Sequence, residues 1–290
     1  MKNMKREIIR SSVIGRKEEN QDTVRYSTKW DIYLLADGLG GRHHKAGKRC
    51  SDFVVSQLFD EFKEIQQELR YEDLDSELVL DMIRISVKDV NEMVYHIGQN
   101  VSSRYRWGTT LEGGLIHDDT FYGVGVGDSK TIVANTLLST VQKLTEEDVR
   151  DIEDVNSYSK VEKQVLISNR DPENYIGLYD QVKSEPYAYP IAPHDWIVMM
   201  SDGISDTVSD QEILNVIQKA PRSGIGKQLE LITNTLFGSD KYSIRNQIYR
   251  VRENPEDVRR AYESLSEKGF DYNIENNIGD NASFIMIGGK

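Results

Sequence analysis

Apolar residues along this chain follow two rhythms. Short runs bounded by Gly or Asp occupy Asp31 to Ala36, Leu111 to Ile116, Thr120 to Val126, Thr131 to Asn135, Trp196 to Met200 and Ser283 to Ile287, with a shorter one at Thr23 to Tyr26. Runs of this length and residue type predict strands. Ala46 to Glu68 and Asp75 to Ile97 instead repeat apolar residues every three or four positions, as at Leu78, Met82, Ile85, Val90 and Val94, the spacing of a helix face. Thr145-Glu146-Glu147-Asp148 and Ser209-Asp210-Gln211-Glu212 read as helix starts, in which a hydroxyl and an acid three residues later cap each other's main-chain N–H.

The order is strands, two helices, strands, helices and a last strand. It departs from the regular alternation of a doubly wound parallel sheet and predicts an α+β layered fold. No repeat, low-complexity linker or sharp composition shift divides the chain, so residues 1–290 read as one domain. Two stretches read as excursions from it. Residues 151–189 are polar and carry Tyr175, Tyr179, Tyr187 and Tyr189, taken first as packing residues of a flap; residues 238–277 are highly charged, with a helical pattern at Pro255 to Leu265.

Composition narrows the function. Hydrophobic residues make up 38% of the chain, the level of a globular protein with a core. Aliphatic stretches such as Ile197 to Met200 fall far short of the ~20 residues of a membrane span. The opening MKNMKREIIRSS never develops the apolar segment of a secretory signal. The one cysteine, Cys50, makes neither an internal disulfide nor by itself a thiolate metal site. A cytoplasmic, non-membrane protein is expected. With 48 acidic and 36 basic residues the net charge is −12, which argues against general nucleic-acid binding.

The acidic residues gather at strand ends. The run Ile32 to Ala36 leads into Asp37-Gly38, the run Ile197 to Ser201 leads into Asp202-Gly203, and Asp280-Asn281 opens the run from Ser283; Gln21-Asp22 precedes Thr23. In an antiparallel sheet the end of one strand lies beside the start of its neighbour, so these carboxylates can meet at one edge. Carboxylates crowded together raise one another's pKa unless a divalent cation neutralises them, and an all-oxygen donor set favours Mg²⁺ or Mn²⁺ over Zn²⁺. A single Asp-Gly after a strand is most often a plain turn. Specificity lies in the ordered set Asn20-Gln21-Asp22, Asp37-Gly38-Leu39-Gly40-Gly41, Gly108-Thr109-Thr110, Gly127-Asp128-Ser129, Ser201-Asp202-Gly203 and Gly279-Asp280-Asn281.

In these motifs the chain resembles the metal-dependent serine/threonine protein phosphatases, the PPM or type two-C family, in their bacterial form. The resemblance runs from about Ser11 to Ile287. It implies a four-layer α/β/β/α sandwich, two antiparallel sheets flanked by helices, with a binuclear Mn²⁺ or Mg²⁺ centre at one edge. On this resemblance Asp37 bridges two metals and the Gly38 carbonyl binds one of them. Asp202 and Asp280 hold the other, Asp22 acts mainly through water, and Asp128 helps hold a third, weaker ion. Asp37, Asp202 and Asp280 are then the catalytic set. Two divalent ions sharing a carboxylate acidify a water for in-line attack on a phosphate ester, with no covalent intermediate. The implied partners are phosphorylated proteins and a Ser/Thr kinase or its targets.

Departures from the family pattern matter for the site. An Arg that grips the substrate phosphate stands five residues before the first motif's Asp in the family; here that position is Lys17, beside Arg16, and the pair is expected to share the role. Leu39 stands where some members carry a His acid, while His43 and His44 read as surface residues. Lys130 replaces the usual Arg after Gly-Asp-Ser and reads as a surface residue. Two alternatives stay open: a regulatory binding module that keeps the fold with weakened catalysis, and a metal-dependent phosphodiesterase.

Overall fold

The computed structural model describes residues 6–14, 19–39, 46–100, 107–149, 157–167, 169, 172–206, 208–219, 255–268, 270 and 281–288. Its strands form two antiparallel sheets. One has the order β1 (Glu7–Val13), β11 (Ala282–Gly288), β10 (Asp195–Met200), β7 (Lys130–Asn135) and β8 (Thr140–Lys143). The other has the order β2 (Asp22–Ser27), β3 (Ile32–Leu39), β5 (Leu111–His117), β6 (Thr120–Val126) and β9 (Tyr187–Pro190), with β4 (Gly108–Thr109) paired to the end of β3. The helices are α1 (Ala46–Tyr71), α2 (Ser76–Asn100), α3 (Lys160–Ile167), the single turn α4 (Asp202–Ser205), α5 (Asp210–Lys219) and α6 (Pro255–Glu267).

Strand alternation builds the layers. In β3, Ile32, Leu34 and Ala36 pack under α1 and α2, while Tyr33 and Leu35 face the other sheet. In β10, Ile197 and Met199 turn toward β3, and Val198 and Met200 turn toward α5. Helices, sheet, sheet and helix therefore stack as the expected α/β/β/α sandwich. Strands covered on both faces read as unbroken apolar runs, which is why β3, β10 and β11 were plain in the sequence. The two-residue turn Asp118 and Asp119, with φ 43° and 58°, closes the β5–β6 hairpin in the mirror-image geometry that fits strand twist.

Several expectations need correction. Thr145 starts no helix: its hydroxyl accepts the Thr131 N–H at 2.8 Å and joins the sheet region. On α2 the buried face runs through Val79, Ile83, Val87, Val90 and Val94, leaving Leu78 and Ile85 46% and 58% exposed. The sequence reading also passed over β1, β8, β9 and α3. Of these, β1 has only Ile8 and Ile9 ahead of polar residues, and it exists because β11, from the far end of the chain, pairs along its whole length.

Both excursions carry structure. Asn91 of α2 accepts the Gly177 N–H at 2.8 Å and donates to the Tyr179 and Asp180 carbonyls at 3.1 and 3.2 Å, so this part of the flap docks on α2. Tyr187 and Tyr189 belong to β9, and the Tyr189 hydroxyl donates to Asp195 at 2.9 Å, so these two are packing residues. In the second excursion α6 packs on α3 around Val165, Leu166, Val258, Tyr262 and Leu265. Glu162 ties the two helices, accepting from Lys268 Nζ at 2.7 Å and Ser264 Oγ at 2.8 Å. The Lys268 contact leads in drawing the Glu162 carboxyl down to about 2.

Candidate active site

The layer between the sheets ends in carboxylates. Asp37 continues the alternation of Tyr33 and Leu35, and Asp22 that of Val24, so both side chains enter this layer at one end. Asp22 and Asp37 are register partners across β2 and β3. Asp37 spends its main-chain groups elsewhere: its N–H donates to Thr110 Oγ1 at 3.0 Å, and its carbonyl accepts from the Thr110 N–H at 2.9 Å and the Thr109 hydroxyl at 2.7 Å. The two aspartates are therefore a non-hydrogen-bonded pair, the kind that brings facing side chains closest.

The other sheet supplies Asp202. Ser201 directly follows β10, its N–H donates to the Ser283 carbonyl at 3.0 Å, and its hydroxyl donates to Asp22 Oδ2 at 3.0 Å. Ser283 returns its N–H to the Ser201 hydroxyl at 3.0 Å and donates its own hydroxyl to Ser12 at 2.7 Å. This chain of hydroxyls fastens β1, β10 and β11 to Asp22. Directly after it the chain turns into α4, carrying Asp202 toward the same end.

Asp22 Oδ1 is buried with no hydrogen-bond partner. Burial raises the Asp22 carboxyl above its ordinary range and the charge of Asp202 adds to that, against the lowering effect of Ser283, Asp37 and Ser201. Asp37 and Asp202 are 8% and 9% exposed, and Asp128 is half-buried on the turn between β6 and β7. Among the described residues, no group of three or more His, Cys, Asp or Glu side chains is spaced to hold a metal ion alone. Asp280, Arg16, Lys17, His43 and His44 lie outside the described residues. Cys50 is buried in α1, and burial pushes its thiol up, away from the thiolate form.

The two Asp-Gly pairs are not turns. Gly38 lies within β3, where a Cβ would come 2.2 Å from the Gly47 carbonyl oxygen and 2.9 Å from that of Gln21. Gly203 lies in α4, where a Cβ would come 2.0 Å from the Asn281 carbonyl oxygen. Each glycine admits a neighbouring main chain against the residue after the carboxylate. The start of α1 seats against β2 as well: Ser51 Oγ donates to the Gln21 carbonyl at 2.6 Å, and Lys48 Nζ donates to the Asp22 carbonyl at 3.1 Å while pairing with Asp52 at 2.8 Å. Sequence reasoning gave Ser12, Ser51 and Ser283 no role, because a hydroxyl at a strand or helix end carries no periodic signal, and it read Lys48 only as part of the basic, solvated helix entry Arg42 to Arg49. Lys130 is a further correction: it is 7% exposed and its Nζ pairs with Asp210 at 2.6 Å, tying β7 to the first turn of α5.

The protein phosphatase 2C family profile matches residues 11–223. The chain belongs to the protein phosphatase 2C family. As a member it is a metal-dependent phosphoprotein phosphatase by family. It is 23% identical over 251 residues to the protein phosphatase PhpP of Streptococcus pneumoniae, covering 80% of this chain and 92% of that one. Its fold is similar to that of the Streptococcus agalactiae serine/threonine phosphatase, with a TM-score of 0.67 at 21% identity over 99% of this chain and 100% of the other. It is also similar to the catalytic domain of the serine/threonine protein phosphatase PstP, solved in complex with two manganese ions, with a TM-score of 0.64 at 18% identity over 98% and 97% of the chains. The protein phosphatase 2C sandwich thus accounts for the layers described above.

Proposed function

We propose that this chain removes phosphate from phosphoserine and phosphothreonine of cytoplasmic proteins, opposing a Ser/Thr kinase. Asp37, Asp202 and Asp280 would hold two Mn²⁺ or Mg²⁺ ions with the Gly38 carbonyl, Asp22 would act beside them, and Asp128 would help hold a third. The observation that carries the reading is the meeting of Asp22, Asp37 and the end of β10 at one buried edge, where an Asp22 oxygen is left without a donor. The donors fit hard cations: they are oxygens, and at Asp22, the first residue of β2, burial already disfavours the ionised form. When bound, such a pair of ions supplies Lewis acidity toward phosphate oxygens and acidified water near neutral pH.

The protein's own contribution is position. Thr109 and Thr110 fix the main chain of Asp37, Ser201 fixes Asp22, and a buried apolar layer that includes Tyr33, Leu35, Met199 and Ile285 continues beneath them. Lys17 and Arg16 would grip the phosphate oxygens. The test is phosphate release from phosphoserine and phosphothreonine peptides. Release is expected with Mn²⁺ or Mg²⁺, lost in excess chelator and restored on adding the ion back. Asp37→Asn is expected to lower kcat by more than about a hundredfold, beyond the cost typical of changes to outer-shell partners. Undiminished turnover after verified metal removal would sink the reading.

A further inference from the structure

Each sheet ends, beside the site, in a strand with one neighbour. Among the described residues β1 pairs only with β11, and β2 only with β3. The bonds already described fix which main-chain groups face outward. Because Asp37 turns its N–H and carbonyl to Thr110, its partner Asp22, and with it Val24 and Tyr26, turns its own away from β3. Because Ser283 spends its groups on Ser201, Ser12 and then Arg10 turn theirs away from β11. At Asp22 the outward groups are occupied, the N–H by Asn20 Oδ1 at 3.1 Å and the carbonyl by Lys48. At Val24 no hydrogen bond among the described residues uses them.

A cleft of about 560 Å³ runs along these edges, lined in part by Arg10, Ser12, Asp22, Val24, Lys48 and Asp52, so it passes the outward main chain of Asp22, whose carboxylate lies just inside the layer. Its lining carries two basic residues: Arg10, whose guanidinium rests 4.9 Å from the centre of the Tyr26 ring, and Lys48, which pairs with Asp52 at 2.8 Å. An edge with free main-chain groups is a template for one more strand.

We propose that the cleft takes the segment of the phosphoprotein next to its phosphorylated residue, laid down as an added strand along the free edge of β2. This rests on the phosphatase reading above. Pairing at Val24 while the phosphate lies at Asp22 places the hydrogen-bonded substrate residue two positions from the phosphorylated one, on one side of it. Main-chain recognition tolerates varied side chains, and Arg10 in the lining favours the negative charge of a phosphorylated segment.

The test uses the full chain and a fluorescent phosphoserine peptide whose flanking residues are N-methylated one at a time, with Kd read by anisotropy and kcat/KM by phosphate release. N-methylation two positions away on one side is expected to weaken binding about three- to tenfold, as loss of one hydrogen bond implies, and one position away by less than about twofold. A profile flat along the peptide, or a loss equal at every position, overturns the added strand. So does dimerisation of the protein that blocks peptide binding, which would give the edge to a second copy. Hydrolysis of a small aryl phosphate separates the two ideas: if it proceeds while the profile is flat, the phosphatase reading stands and the strand proposal falls.

Discussion

Asp22 and Asp37 sit where strand alternation, carried one step past the last apolar residue, delivers them into the layer between the sheets. The phosphate grip is expected to come from the chain just ahead of Asp22. Lys17→Ala and Arg16→Ala should each raise KM for a phosphopeptide, and the double change should exceed either alone, whereas Lys17→Arg should be neutral or better because a guanidinium makes two parallel hydrogen bonds to phosphate. Steady-state kinetics at low salt decides this; parent-like KM in both alanine variants would place the grip elsewhere. A second residue-scale outcome concerns Glu112, buried in β5, where burial holds its carboxyl well above the ordinary value of 4.5 against the opposing hydrogen bonds of Thr131 and Thr145. The nearby acids Asp148 and Glu147 push the same way as burial. The folded state thus keeps a proton that the unfolded chain releases near pH 4.5, so this group's contribution to stability falls as pH rises above that value. Glu112→Gln should remove that slope, and urea midpoints at pH 5 and pH 8 should show the variant gaining on the parent at the higher pH.

At the scale of elements, the long periodic helices and the doubly covered strands were legible because burial on a face leaves a regular imprint. Elements made by distant partners left none: β1 is a strand through β11, and α3 finds its apolar cover in α6. The sequence pattern pointed to Asp22, Asp37 and Asp202, which the fold carries to one end of the layer, yet not to the reason for the glycine beside Asp37, since Gly38 answers to the approach of Gly47, which no local pattern announces. Lys130 shows the same limit, a charge whose partner Asp210 lies far along the chain. Removing one member of this largely buried pair exposes its role. Asp210→Asn, which leaves the Lys130 ammonium buried without its counter-charge, should cost more than Lys130→Met, by about 1–3 kcal/mol in urea denaturation. Equal or negligible losses would reduce the pair to an ordinary surface contact.

For the whole molecule, the sandwich brings together carboxylates from two sheets, so an ion held by them would link binding to folding. Mn²⁺ at a hundred times its Kd should raise unfolding free energy by about 2.7 kcal/mol, shifting the denaturation midpoint upward, and Asp202→Asn should abolish most of that gain. A midpoint indifferent to Mn²⁺ would mean that the site does not take the ion. The hydroxyl chain from Ser12 through Ser283 and Ser201 to Asp22 sharpens this linkage, because it runs crosswise through the sandwich at its working end. It acts as a rivet. On the proposed reading a chain with either sheet alone formed would hold only half a socket, and any slippage of one sheet over the other would be felt first as misalignment of the carboxylates.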